Sequence, residues 1–315
     1  MNQKVIEAQA SRKSFLDNSR LGKGSAWRYL AGISLILFIW LIAGSLITAM
    51  LILILAVMRG FGPEDIPRLA ADPGILGQTP YFLVLSSNFV IMFLGIWLTV
   101  RLVHGRSLRS VITAAGAIDW GRVGAGFLAW LVLIAIGSVV EFLLWPGTFS
   151  WNFDPLTFFP FAVFAILLVP IQTSSEELFF RGYLLQAGSL LSRKGVLLAV
   201  GSGVLFALPH IANPEVAVNF TVVLLSYFVL GAFLAWVSIK DGTLELALGV
   251  HAANNLFAAL VVTFPDSVLP TPAIFFTTHF DPVFSLIVEI VVCFLFYLAT
   301  FVWFKSGKSG ANSLV

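Results

Sequence analysis

Residues 158–185 read FFPFAVFAILLVPIQTSSEELFFRGYLL, a run apolar enough to cross a bilayer that nevertheless carries Glu176, Glu177 and Arg181 within six positions. A charged side chain at the bilayer centre costs about 2.5 to 3.5 kcal/mol on insertion scales, so three of them together require partners or water. The stretch therefore sets the class of the chain and marks where its chemistry gathers.

The rest of the sequence agrees with a membrane protein. Of 315 residues, 59% are hydrophobic and 11% charged, against roughly 25% charged in soluble domains. That excludes an ordinary cytosolic enzyme. A helix needs about 20 apolar residues to cross a ~30 Å core, and on that measure the chain is all-α and polytopic, with about eight spans. They cover residues 27–58, 81–103, 123–145, 158–191, 195–211, 216–239, 244–264 and 283–304. The organisation expected is a polar, basic cytoplasmic tail over 1–26, a transmembrane domain over 27–305 and a short tail over 306–315. No cleaved signal peptide is expected, and the first span stays as an anchor. Pro170 is expected to divide the fourth span just before the glutamates, and residues 107–121 suit a helix lying in the interface.

Nearly all basic residues fall on one side when the N-terminus is placed inside, so both termini are expected in the cytoplasm. The outer loops then carry acids, Glu215 among them. A formal net charge of +2 gives no case for nucleic acid, and the partner implied is the lipid bilayer. Cys293 stands alone, so no intramolecular disulfide is possible. Neither an internal repeat nor a compositional boundary marks a second domain.

Three segments carry the chemistry. Glu177 and Arg181 are four apart and face each other on a helix, acid N-terminal to base. Glu176 is turned about 100° from Glu177, so one carboxylate is free to face a cavity while the other is held. His210 follows Pro209 near the end of the next span. His251 and Asn255, again four apart, share a face of the seventh span with small residues between them. At 1.5 Å per residue, Glu176 lies about 27 Å and His210 about 24 Å from Lys194, so the two meet across a helical hairpin. All three spans are expected to converge on one cavity.

Glu141 and Glu289 are further acids at membrane depth, with no catalytic role assigned; Glu289 either snorkels or lines the cavity mouth. His104 and His279 are expected to be solvated near the interfaces. Ser174, Ser175 and Cys293 lack the setting of an activated nucleophile.

These residue types suit amide hydrolysis. A carboxylate beside a histidine can deprotonate water and later protonate the leaving amine, while a second imidazole and an amide donate to an oxyanion. Two other classes use similar parts: a proton-coupled transporter or channel, which flux would reveal, and a non-catalytic membrane scaffold.

Glu-Glu-x-x-x-Arg at 176–181, Phe-x-x-x-His at 206–210 and His-x-x-x-Asn at 251–255, in that order on separate spans, closely resemble the CPBP family of intramembrane proteases. That family is also called Abi or type II CAAX proteases. The resemblance covers residues 158–264 and implies a peptidase acting on a peptide or membrane-anchored protein, with a prenylated CAAX tail one substrate class and an unprenylated or bacteriocin-like peptide equally compatible. It implies Glu176 as the water-activating base aided by His210, His251 and Asn255 as oxyanion donors, and Glu177 with Arg181 as a supporting pair. The family has also been described as metalloproteases, and Glu176, His210 and His251 include enough ligand types for zinc. With no His-Glu-x-x-His helix and with Asn255 a poor zinc ligand, the metal-free glutamate mechanism, without cofactor, is favoured.

Overall fold

The computed structural model describes residues 14–303 apart from 266 and 270. The first 13 residues and residues 304–315, and with them both chain termini and the C-terminal tail, lie outside the described residues. Among the described residues, seven helices are long and apolar enough to cross a membrane: α1 (Ala26–Met58), α2 (Gln78–Val103), α3 (Trp120–Leu144), α4 (Pro155–Gly188), α5 (Gly195–Ala212), α6 (Phe220–Asp241) and α8 (Pro282–Val302). Between the last two lies α7 (Glu245–Leu260), 16 residues long. At 1.5 Å per residue it rises about 24 Å, short of the hydrocarbon thickness. The expected seventh span therefore stops early, and its last residues enter a strand. The chain is a helical multi-pass membrane protein.

Several helices begin where a short polar side chain takes an orphan amide of the first turn: Asp119 for α3, Asp154 for α4, Asn219 for α6 and Asp281 for α8. Helix α4 runs unbroken from Pro155 to Glu176 with Pro160 and Pro170 inside it, so Pro170 does not divide the span. Hydroxyls of Thr173 and Ser175 bond carbonyls one turn back, at Val169 and Ile171. Side-chain bonds of this kind make proline tolerable in a membrane helix.

Helix α7 packs closely on α3. A Cβ on Gly249 would strike the Val123 carbonyl, and one on Gly126 the Leu246 carbonyl. Only glycine allows backbones to approach this closely. The crossing brings Trp130 of α3 against α7.

At one end of the bundle three short strands, β1 (Phe149–Trp151), β2 (Val262–Thr263) and β3 (Phe275–Thr277), form a sheet in the order β1-β3-β2. Phe149 pairs with Thr277 antiparallel and Val262 with Phe275 parallel. At the opposite, basic end, part of the segment expected to be a tail is built into the fold. A 3-10 turn, Phe15–Arg20, is capped by Ser14 and docks with Phe15 fully buried. Gln186 of α4 bonds the Phe15 carbonyl at 2.9 Å, and Asn18 bonds the carbonyls of Ser110 and Thr113.

Those bonds also explain why residues 107–121 do not form an interfacial helix. Only Arg109–Ile112 is helical, and Ser110, Val111 and Ile112 are buried beneath the docked turn. The expectation that His104 is solvated also fails. Its ring is fully buried, between the Lys23 carbonyl on Nδ1 (2.9 Å) and the Tyr183 hydroxyl on Nε2 (2.7 Å). His279 is partly buried and stacks on Trp145.

Candidate active site

Past Glu176 the backbone of α4 widens into π-helical winding over Glu177–Tyr183. Such turns are rare and recur at functional sites. Ser175 also donates across to the Phe89 carbonyl of α2, which fixes the helix just before the acids.

Glu177 and Arg181 are both fully buried, Oε1 to Nη1 at 2.7 Å. The guanidinium carbon lies 4.0 Å from the centre of the Phe206 ring, a cation–π contact that covers the charge from the other side. His251 reaches the same Glu177 oxygen with Nδ1 at 2.7 Å, while its Nε2 lies 3.4 Å from Oε2 of Glu176. One imidazole thus stands between two carboxylates of different character. Glu177 is committed to Arg181 and His251; Glu176 faces a cavity.

His210 sits in the 3-10 turn that ends α5, its Nδ1 2.7 Å from the Phe206 carbonyl. A carbonyl only accepts, so Nδ1 carries the proton and Nε2 of the neutral ring is left with a lone pair. Phe206 lies between the two histidines, its centroid 4.6 Å from His210 and 5.8 Å from His251. The phenylalanine of the Phe-x-x-x-His motif thus holds His210 by its carbonyl and carries Arg181 and His251 on its ring.

Asn255 is oriented by a chain of donors. The indole Nε1 of Trp130 donates to Oδ1 of Asn254, and Nδ2 of Asn254 donates to Oδ1 of Asn255, each at 3.2 Å. Because an indole N–H only donates, it sets the direction of both amides and leaves the NH2 of Asn255 as a free donor.

Glu176, His210, His251 and Asn255 line one cavity of about 530 Å³, together with Gln172 and Phe206. Glu177 and Arg181 lie behind its wall. Residues of α1 and α2, Trp40, Leu85 and Phe89, make one apolar side, and Phe264, Val268 and Phe280 close it towards the sheet end. Glu289 lines this cavity and also an adjoining one of about 340 Å³ shared with Glu141 and His279.

The sequence pointed to neither Trp130 nor Tyr227 and left Glu215 among the outer-loop acids. Glu215 is in fact buried, with Oε1 2.5 Å from the Tyr227 hydroxyl. Asn254, between the motif residues, was the signal available for the amide chain.

As to zinc, no group of three or more His, Cys, Asp or Glu among the described residues is arranged to hold a metal ion. Both nitrogens of His251 already face carboxylates, and the Phe206 ring stands between its imidazole and that of His210. The residues present do not fit a three-ligand site.

A multi-pass helical fold in which a carboxylate, two imidazoles and an amide line one cavity defines a membrane protein with a polar site inside its helical bundle. Residues 155–257 match the family described as type II CAAX prenyl endopeptidase Rce1-like. A Bacillus subtilis (strain 168) protein described as "Uncharacterized protein YyaK" is 31% identical over 291 residues, covering 91% of this chain and 95% of that one. The chain belongs to this Rce1-like family, as the three motifs implied. No solved structure matches it.

Proposed function

We propose that the protein is an intramembrane endopeptidase that hydrolyses a peptide bond in a membrane-associated protein or peptide. The observation that carries this reading is the contact of His251 with both glutamates at the cavity wall, Nδ1 on Glu177 and Nε2 facing Glu176. When Glu176 takes a proton from water, the charge it loses reappears on the oxyanion beside it, so the buried site reacts without a change in net charge, which low-dielectric surroundings would penalise.

In the reaction, water bound between Glu176 and the scissile carbonyl gives a proton to Glu176 as its oxygen attacks the carbonyl carbon. The Nε2 lone pair of His210 orients that water. The oxyanion is met by the free NH2 of Asn255 and by Nε2–H of His251, donors already in place before charge develops. As the C–N bond breaks, the proton on Glu176 passes to the leaving amine, and carboxylate and amine products form. Since a helix hides its carbonyls, the substrate segment is extended at Glu176. The apolar wall from α1 and α2 suits a hydrophobic flank on that segment.

We place the basic end of the bundle in the cytoplasm, where Arg101, Arg106, Arg122, Arg193, Lys194 and Lys240 gather. Cysteine introduced at Ser192 should be labelled by an impermeant maleimide only from the cytoplasmic face.

The functional test is cleavage of a fluorogenic peptide library, prenylated and plain, by detergent-purified protein. Glu176→Gln and His210→Ala, checked for folding by thermal unfolding, should each lose about 100-fold or more of the activity. A folded Glu176→Gln variant that still cleaves at the wild-type rate sinks the proposal, as does a wild type inactive on every peptide.

A further inference from the structure

We infer that Tyr227 and Glu215 form a positioning unit that fixes the ring of His210 and ties it to the roof of the cavity. The inference rests on the hydrolase reading for its kinetic consequence but not for its geometry.

Two aromatic rings hold His210. Phe206 touches it at 4.6 Å between centroids, and Tyr227 of α6 at 4.1 Å with planes 30° apart. The backbone carbonyl of Phe206 fixes one ring nitrogen. The Tyr227 ring is itself pinned at its tip: its hydroxyl donates to Oε1 of Glu215 at 2.5 Å and accepts from Nδ2 of Asn213 at 2.8 Å. Nδ2 of Asn213 also reaches Oε1 of Glu215 at 3.2 Å, closing a three-membered network. A ring held at a face and a tip cannot swing out of the cavity wall without breaking a partly buried bond to a carboxylate, one of the stronger hydrogen bonds available.

The second oxygen of Glu215 has a separate task. Oε2 accepts the backbone N–H of Val268 at 3.0 Å, in the segment that follows α7. Ser267, Val268 and Leu269 line the cavity. One carboxylate, drawn from the turn between α5 and α6, thus joins the residue that stacks on His210 to the segment over the substrate space. Glu215 has all its geometry directed inward, although its position between two spans reads as that of a solvated loop acid.

The consequence concerns the tautomer. His210 orients water through Nε2 only while Nδ1 keeps its proton on the Phe206 carbonyl. Loosening Tyr227 frees the ring to rotate and populate the other tautomer, which lowers turnover more than substrate binding. Because the sequence holds four histidines, the ring nitrogens of ¹⁵N-histidine-labelled protein form a small, assignable set, with His210→Gln identifying the signal.

The experiment compares wild type, Tyr227→Phe and Glu215→Ala in detergent. Tyr227→Phe keeps the ring on His210 and removes only its anchor, so it guards against the chance that Glu215→Ala fails to fold. In Tyr227→Phe, kcat on the best library peptide should fall about tenfold with KM within about twofold. The His210 ring should change from a single Nδ1–H tautomer to a mixture, while His251 is unmoved. An unchanged His210 tautomer in the folded variant overturns the proposal, whether or not kcat falls. If the wild type cleaves no peptide, the hydrolase reading fails while the tautomer comparison still decides this one.

Discussion

Nδ1 of His251 lies 2.7 Å from Oε1 of Glu177, and through that bond the buried ion pair and the cavity carboxylate belong to one chain of groups. Glu177 takes Arg181 and His251 on the same oxygen. Its neighbour Glu176 is left with the outer face of the imidazole and the cavity. Adjacent residues on one helix point about 100° apart, and here that turn separates a structural acid from one available to water.

The division predicts opposite behaviour for the two glutamines. Glu177→Gln leaves Arg181 fully buried without a carboxylate, and breaking such a pair costs about 3–5 kcal/mol. Its thermal midpoint in detergent should fall clearly below that of the wild type. Glu176→Gln replaces a group at the cavity wall and should keep the midpoint while cleavage is lost. Equal midpoints for the two variants would show that Glu177 is not the anchor.

Trp130→Phe tests the amide chain. It keeps an aromatic ring against Phe233 and Phe296 but removes the indole N–H that orients Asn254. Asn254 and Asn255 then become free to flip, and the oxyanion loses its donor part of the time. Asn255→Ala should lower kcat about 100-fold, the usual cost of one such donor, with Trp130→Phe between that variant and wild type. KM should stay near the wild-type value in both. A Trp130→Phe rate equal to wild type would show that the direction of the Asn255 amide is set elsewhere.

How far these groups could be read from the chain follows from where their partners lie. Glu177 and Arg181 are four apart on one helix, so their pairing follows from periodicity. The meeting of α4, α5 and α7 was legible from helical rise and the placing of the loops. Contacts between distant residues were not: nothing local in the sequence indicates that Trp130 meets Asn254, 124 positions on. The docked turn at the basic end was hidden for a related reason. Asn18 and His104 each read as solvated residues outside the spans until backbone carbonyls from other segments are brought to them. Glu215 misled in the same way, since a polar residue between two spans reads as solvated whatever folds over it. The early end of α7 was obscured because residues 261–264, Val-Val-Thr-Phe, continue the apolar run while favouring a strand.

Metal removal separates the two mechanisms the family resemblance left open. The donor geometry around His251 and His210 leads us to expect that dialysis against a strong chelator, followed by elemental analysis, will leave cleavage unchanged. Stoichiometric zinc in the active protein, with activity lost on its removal and restored on its return, would refute the glutamate-and-water mechanism proposed above.

The buried histidine at the basic end makes stability depend on pH. Burial holds His104 below the ordinary histidine value; the cations of Arg106 and Arg28 add to this, and its bond to the Lys23 carbonyl opposes it. The folded protein therefore carries fewer protons on this group than the unfolded chain does at the same pH. Stability rises with pH where the unfolded state binds more protons. The contribution of His104 is thus complete above the unfolded value of about 6.5 and is lost as pH falls below it towards the folded one. Protonation also puts a second N–H against the Tyr183 hydroxyl, which now donates to Nε2. Thermal midpoints measured from about pH 8 to pH 5 should fall on the acid side, more steeply for wild type than for His104→Gln. The glutamine variant should be less stable at pH 8 and flatter below pH 6.5, so the two curves converge. Parallel curves would mean that another group governs the acid limb and that His104 keeps the same protonation when the docked turn comes away.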